Sequence, residues 1–186
     1  MKKILLSIMV MLVAIAVSAQ KIEMTPDGAY ECQTVVEVPG VSAADIYGRA
    51  MEALSDWNGP DGKSQAGLDF HDKEIGTIIY KGRYYLGFKN LFLGAGWHRY
   101  GEFTLKVRCK DEKAQIIAAT NHISSKASRS SDTADFSVAE IVAAMEKAKG
   151  KKRKRGEEFV QSIADMTDLI MNTMAERLRK LAAEDF

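Results

Sequence analysis

Three histidines, His71, His98 and His122, are the side chains whose type best suits metal binding or proton transfer. They fall on three different predicted strands. None belongs to the His-x-x-x-His or His-Glu-x-x-His spacing that presents two imidazoles on one helix face, and no cysteine adjoins them. The sequence therefore predicts neither a metal site nor a cofactor.

Carboxylates come together in Asp69, Asp72 and Glu74, a grouping that could do general acid and base chemistry. Asp72 and Glu74 lead into Gly76, however, and aspartate followed by glycine is what a tight turn needs. The sequence contains no Gly-x-Ser-x-Gly elbow, phosphate-cradling loop or Cys-His pair. We therefore predict no catalytic residue and no enzyme, with a hydrolase lacking a recognisable motif as an alternative.

A run of basic residues before the last helix is the largest local charge in the chain. Such runs usually stay solvated, although they can contact nucleic acid or anionic surfaces. No aromatic residue is interleaved, and Glu157-Glu158 follows at once, so we predict no nucleic-acid binding and at most a weak contact with anionic surfaces. The residues of this basic run are Lys151, Lys152, Arg153, Lys154 and Arg155.

The segment from Leu86 to Trp97 is long and apolar for a hairpin connection, which usually has two to five polar residues. Its side chains either fold under the domain as a satellite core cluster or form an exposed patch that binds a protein, a lipid or an apolar ligand. The candidate patch is Leu86, Phe88, Leu91, Phe92, Leu93 and Trp97, with Lys89, Asn90, His98 and Arg99 as its polar edge.

The N-terminus has the pattern of a secretory signal peptide. Met1-Lys2-Lys3 precedes an apolar run, Ile4–Val17, and Ser18-Ala19-Gln20 suggests cleavage before Gln20. Loss of Lys2 and Lys3 leaves 24 basic residues against 25 acidic ones, a net charge of about −1 that indicates no particular partner. We expect a secreted, periplasmic protein.

Export bears on the two cysteines, Cys32 and Cys109, because an oxidising compartment permits a disulfide. Alternation places both on the core faces of their strands. We predict that both are buried. A bond between them stays open, because bridging needs Cα atoms within about 7 Å and the strand order is unknown.

The elements that must position these groups form an α+β domain, a curved antiparallel sheet packed on one face by helices. The order is strand, helix, four strands and a long C-terminal helix. Apolar residues at steps of three and four form one face of that last helix, which must cover the sheet: Phe159, Ile163, Met166, Ile170, Met174, Leu178 and Leu181. The predicted divisions are 1–19 signal peptide, 20–29 polar lead, 30–123 domain, 124–156 mobile linker with a short helix and the basic run, and 157–186 C-terminal helix.

This order, with several local motifs, resembles a secreted domain of unknown function with a TATA-binding-protein-like fold, common in Bacteroidetes. The resemblance covers residues 30–123 and implies a curved antiparallel sheet with helices on one face, but no activity. The motifs that carry it are Val36–Ser42, the helix from Asp45 to Trp57, Asp72-x-Glu74-x-Gly76 and Tyr100–Lys110.

Together these features predict a secreted, non-catalytic binding or interaction domain of unknown ligand. An envelope structural component is the alternative from another class.

Overall fold

The computed structural model describes residues 23–55, 57, 65–92 and 95–184. It contains three α-helices and seven β-strands within these ranges. The helices are α1 (Ala43–Ser55), α2 (Val138–Lys147) and α3 (Gly150–Glu184). The strands are β1 (Glu23–Met24), β2 (Tyr30–Glu37), β3 (Gln65–Asp72), β4 (Thr77–Phe92), β5 (Ala95–Lys110), β6 (Lys113–Ala127) and β7 (Thr133–Ser137).

All strands join one antiparallel sheet in the order β1-β2-β6-β5-β4-β3. β7 also pairs with β6, along the part of that edge beyond the end of β2. Tyr30 opposes Thr120, and the β7 pairing begins two residues further on, at His122. β2 and β7 therefore lie end to end along one side of β6.

Helices α1 and α3 cover one face of this sheet, as the fold-class prediction required. On β5, Phe103, Leu105 and Val107 alternate inward, and all three are buried. The apolar face of α3 packs onto them and onto β2, with Ile170, Met174 and Leu178 among its buried residues. The predicted helix face is confirmed for these three residues and for Ile163. Phe159 and Met166 are half-buried, and the side chain of Leu181 lies outside the described residues.

Local side-chain contacts cap α1 and α2 and stabilise the turn of the first hairpin, which the sequence predicted at Asp72-x-Glu74-x-Gly76. The Ser42 hydroxyl caps α1: it accepts the backbone N–H of Asp45 and donates to the Asp45 carboxylate. Ser137 caps α2 in a reciprocal capping box with Glu140. The carboxylate of Asp72 accepts the N–H groups of Glu74 and Ile75 in the turn between β3 and β4.

A chain of buried hydroxyls joins α3 to the middle of the sheet. Tyr84 Oη donates to Thr120 Oγ1 at 3.3 Å, and Thr120 Oγ1 lies 2.8 Å from Thr167 Oγ1. Thr167 donates its single hydroxyl hydrogen to Ile163 O at 2.8 Å, so Thr120 is the donor to Thr167. Each of these three hydroxyls has a hydrogen-bond partner, which is what burial of polar groups requires.

Residues 124–156 differ from the predicted linker. β6 continues to Ala127, β7 follows after a short turn, and α3 begins at Gly150 and not at Glu157. Serine-rich composition concealed the strands, because their backbone pairing does not require large side chains. Lysine and arginine are good helix formers, so the basic run continues α3 toward its N-terminus.

The segment predicted to interrupt the pattern between β4 and β5 is instead the far end of a hairpin. β4 runs to Phe92 and β5 starts at Ala95, with Phe92 opposite Ala95. The register shifts between Tyr85 and Gly87, and Gly87 has a φ of 104°. Such a bulge puts the inward and outward alternation of side chains before and after it out of phase, so the sequence pattern does not indicate one continuous strand.

Cys32 and Cys109 are both buried, as predicted, and both are free thiols, so the candidate disulfide is wrong. Cys32 opposes Ala118 on β6, and Ala118 opposes Leu105 on β5. Cys109 thus lies two strands away and four residues further along β5. This separation is roughly 16 Å from standard strand spacings, far beyond the reach of a disulfide.

The predicted signal peptide, residues 1–19, lies outside the described residues. Within the described part of the chain, no helix combines the length and apolar character that a membrane span needs.

Candidate functional site

A cavity of about 520 Å³ lies where the far end of the sheet meets α2 and the first turns of α3. Its sheet wall is built by strict alternation on three neighbouring strands, because residues two apart share a face. Arg99 opposes Ser125, which opposes Ala134, and Ile123 opposes Phe136 in the next row. The wall residues are Trp97, Arg99, Ile123, Ser125, Ala134 and Phe136.

The helical wall comes from α2 and α3, which meet at a close approach. On α2 the lining residues Ile141, Ala144 and Met145 recur at steps of three and one, which puts them on one face, and the C-cap residue Ala148 follows. α3 adds Lys152, Gly156 and Phe159. A Cβ at Gly156 would lie 2.8 Å from Met145 Cγ, so glycine there is what lets the two helices approach.

The cavity stays open because small residues face one another across it. Ala134 on the sheet, Ala144 on α2 and Ala148 at its C-cap leave space that larger side chains would occupy. Ile123 also belongs to a satellite cluster of buried residues with Val138 and Ile163. The lining is therefore largely apolar, and the cavity lies beside the main core and not inside it.

Charge enters this apolar lining at a few points. The guanidinium of Arg99 stacks on Phe159, with Cζ 4.1 Å from the ring centroid. Arg99 Nε is buried and makes no hydrogen bond, and burial lowers the pKa of the guanidinium. Lys89 and Lys152 are exposed lysines that also line the cavity.

Glu140 is the carboxylate among the lining residues. Its Oε2 accepts the backbone N–H of Ser137 at 2.8 Å and the Ser137 hydroxyl at 2.9 Å. These hydrogen bonds lower the pKa of Glu140. Its charge is therefore used to cap α2.

The residues of the predicted apolar patch lie in different environments. Leu86 packs against the core, and Trp97 is half-buried in the cavity wall. Phe88 is 39% exposed and lies 4.9 Å from the His98 ring, between centroids. The side chains of Leu91, Phe92 and Leu93 lie outside the described residues.

Two of the predicted polar-edge residues, Lys89 and Arg99, line the cavity beside Trp97. Sequence reasoning missed the residues on β7 and α2. Two signals could have found them: the alternation of Ala134 and Phe136, and the helical spacing that starts at Ile141.

The three histidines occupy separate surroundings. His71 Nδ1 lies 3.0 Å from the Tyr47 hydroxyl, and His98 Nδ1 lies 3.2 Å from that of Tyr85. His122 lies on β6, opposite Glu102 and Ser137. In the described part of the chain, no three metal-ligating side chains come together.

The carboxylates considered for acid and base chemistry are also dispersed. Asp69 makes an exposed ion pair of 3.0 Å with Lys81, while Asp72 belongs to the turn and Glu74 is exposed. All five residues of the basic run are exposed, and Arg153 pairs with Glu157 at 2.9 Å. Of the run, Lys152 alone contributes to the cavity lining described above.

The open antiparallel sheet, covered on one face by α1 and α3, defines a TBP-like α+β fold. Residues 33–122 match the family model described as "Domain of unknown function (DUF4468) with TBP-like fold", so the predicted resemblance is confirmed and this part of the chain is a domain of that family.

Two solved structures are similar over most of the chain. One is a DUF4468 family protein from Bacteroides ovatus, with a TM-score of 0.60, 16% identity, and coverage of 84% of this chain and 90% of that one. The other is a TBP-like protein from Parabacteroides distasonis, with a TM-score of 0.60, 12% identity, and coverage of 85% and 97%. No curated protein matches the sequence. At these identities the similarity concerns the fold alone, but it extends well beyond residues 33–122.

Proposed function

We propose that this protein is a non-catalytic binding domain that takes the chain of an apolar ligand into the cavity between the far end of the sheet and α2 and α3. The observation that carries the proposal is the cavity itself, about 520 Å³ with a largely apolar lining. Ligand pockets are typically 300–1,000 Å³, mostly apolar, with a few placed polar groups.

The cost of such a cavity to an empty domain supports this function. The cavity opens to solvent, so its apolar lining forgoes the stabilisation that removal from water gives. Larger side chains at Ala134, Ala144 or Ala148 would fill the space, and the chain has alanine at all three positions. A ligand would supply the missing contacts.

The proposed site includes part of the patch that the sequence suggested. Trp97 gives a large flat surface, and Phe136 on β7 and Phe159 on α3 add further aromatic lining. Among the candidate partners, an apolar ligand fits a concave volume of this size better than a protein surface does. The proposed binding needs no catalytic group.

Filling the cavity tests the proposal. We expect Ala144→Trp to weaken binding of decan-1-ol, a neutral apolar probe, measured by calorimetric titration. Excluding even two methylene groups from burial, at about 0.8 kcal/mol each, lowers affinity roughly tenfold.

The matched control is Ala143→Trp, which adds the same ring on the same helix at an exposed residue that does not line the cavity. Decanol affinity should be unchanged in that variant. If the wild-type protein binds no decanol, or if both variants bind as well as the wild type, the proposed site is wrong.

A further inference from the structure

The buried charge of the cavity belongs to Arg99. Its Nε is a buried donor without a hydrogen bond. Leaving a buried donor without an acceptor costs free energy, and the cost is larger for a charged group. An arginine cannot escape this cost by losing its proton, since its pKa is too high. Nε itself is out of reach of a ligand, so the donors that a ligand acceptor could meet are the terminal amino groups of the same guanidinium.

Arg99 lines the cavity and contacts Phe159 through its guanidinium. Phe159 covers the face of the guanidinium, with Cζ 4.1 Å from the ring centroid. Cation–π contact uses the face of the planar group, while the N–H donors point outward in its plane. The stack therefore holds the guanidinium in place without using its donors.

The charges around the cavity are unbalanced toward the positive. Arg99, Lys89 and Lys152 line it, and the carboxylate of Glu140 is hydrogen-bonded to Ser137 at the start of α2. Three cations and one carboxylate therefore line the cavity, which leaves a net positive charge. A net positive lining attracts a ligand that has an anionic group.

We propose that the ligand is a single-chain fatty acid whose carboxylate binds Arg99 and whose alkyl chain fills the apolar cavity. This inference rests on the proposed function and names the ligand class for the same site. The planar fork of an arginine matches a carboxylate with two parallel hydrogen bonds. The largely apolar lining needs a ligand that is mostly hydrocarbon, and a volume in the lower half of the usual range suits one chain.

Three ligands with the same chain and different head groups test the inference on the wild-type protein. Decanoate, decan-1-ol and decylammonium share a ten-carbon skeleton and have an anionic, a neutral and a cationic head group, so their affinities report the head-group preference of the site. At pH 8 we expect decanoate to bind about 10- to 100-fold more tightly than decanol, the range for a hydrogen bond to a charged group. Decylammonium should bind most weakly, because it would meet Arg99 as a like charge.

Arg99→Gln should remove this preference. Decanoate affinity should fall about 10-fold or more, while decanol affinity stays within about twofold. Arg99→Lys keeps the charge without the planar fork and should retain part of the preference. Arg108→Gln is the matched control, since it removes an exposed guanidinium from the same strand away from the cavity, and it should leave all three affinities unchanged.

The outcomes separate the two proposals. If decanol binds and Ala144→Trp blocks it, but decanoate gains nothing over decanol, the fatty-acid inference is overturned and the binding function stands. If no ligand binds the wild-type protein, the binding function fails. Should Arg99→Gln fail to fold, the ranking of the three ligands on the wild-type protein decides the matter alone.

Discussion

At the scale of single residues, the buried polar groups divide into satisfied and unsatisfied ones. The hydroxyls of Tyr84, Thr120 and Thr167 form a series of hydrogen bonds that ends on a backbone carbonyl. Each of these three buried hydroxyls therefore has a hydrogen-bond partner. Arg99 Nε, by contrast, is buried without an acceptor. The first arrangement stabilises the fold, and the second is what a binding site requires.

Burial also makes three weak acids harder to ionise. It raises the pKa of Cys32 from 9.0 to about 12, that of Cys109 from 9.0 to about 11, and that of Tyr84 from 10.0 to about 12. In each case the apolar surroundings disfavour the charged form, as desolvation does. Asp168 and Glu31 add to the effect at Cys32 through their negative charge.

These shifts predict a loss of stability at alkaline pH. Above about pH 9 the unfolded chain releases thiol protons that the folded chain keeps, so the free energy of unfolding falls as pH rises. The contribution is complete below pH 9 and is lost progressively up to the folded pKa values, about 11 for Cys109 and about 12 for Cys32. Each thiol adds up to about 1.4 kcal/mol per pH unit to the slope.

Urea unfolding between pH 8 and 11 measures this slope. The comparison is a double variant, Cys32→Ala with Cys109→Ala, in which lysine and tyrosine titration is unchanged. Its free energy of unfolding should fall less steeply above pH 9 than that of the wild type. Equal slopes for the two proteins would contradict the assigned burial of the thiols.

At the scale of elements, the charges in the first turn of α3 interact unfavourably with the helix dipole. The N-terminus of a helix favours negative charge, and the first turn of α3 has no acidic residue. It has Lys151, Lys152 and Arg153 instead, all exposed. Cations at this end cost stability, which is consistent with their retention for contact with an anionic ligand or surface.

Charge reversal at Lys151 should therefore stabilise the protein. Lys151→Glu removes an unfavourable dipole interaction and places a carboxylate four residues before Arg155, a favourable helical pair. We expect a gain of about 0.5–1.5 kcal/mol in the free energy of unfolding, measured by urea denaturation at low salt.

Lys151→Gln is the graded control for this change. It removes the positive charge without adding a negative one, so it should give an intermediate gain. Both gains should shrink as salt is added, because exposed charges are screened. A destabilised Lys151→Glu variant would show that the dipole argument does not apply at this helix end.

The elements that the sequence predicted correctly are those with a repeated local signal. The buried stripe of α3, the cap of α1 and the turn after Asp72 each depend on residues a few positions apart. β7 lacked such a signal, because it is short and follows serine-rich residues. It is formed by pairing with β6, a contact that its own composition does not determine.

At the scale of the whole molecule, the candidate site depends on pairings that no local pattern contains. The sequence placed Trp97 in the candidate patch and Arg99 on its polar edge, because both belong to or adjoin the long apolar segment. Ala134 joins them through the register of β5, β6 and β7, and Phe159 joins them through the packing of α3. Strand order and helix placement are long-range results of core packing, so the cavity could not be predicted.

The described domain is complete without the N-terminal segment that we propose directs export. The apolar run, Ile4–Val17, is shorter than the ~20 residues that a spanning helix needs, and Ser18-Ala19 supplies the small residues of a cleavage site. The first described strand begins at Glu23, three residues after the proposed new terminus at Gln20. Cleavage would therefore remove no part of the described fold.

Expression of the full chain in a bacterium with a periplasm tests this proposal. We expect the protein in the periplasmic fraction, and intact mass spectrometry should show the loss of residues 1–19, with Gln20 first. Ala19→Arg is the informative variant, because signal peptidase needs a small residue before the cut, and it should leave an uncleaved, membrane-held precursor. Recovery of the full-length wild-type protein from the cytoplasm would exclude export, and a ligand would then have to be sought inside the cell.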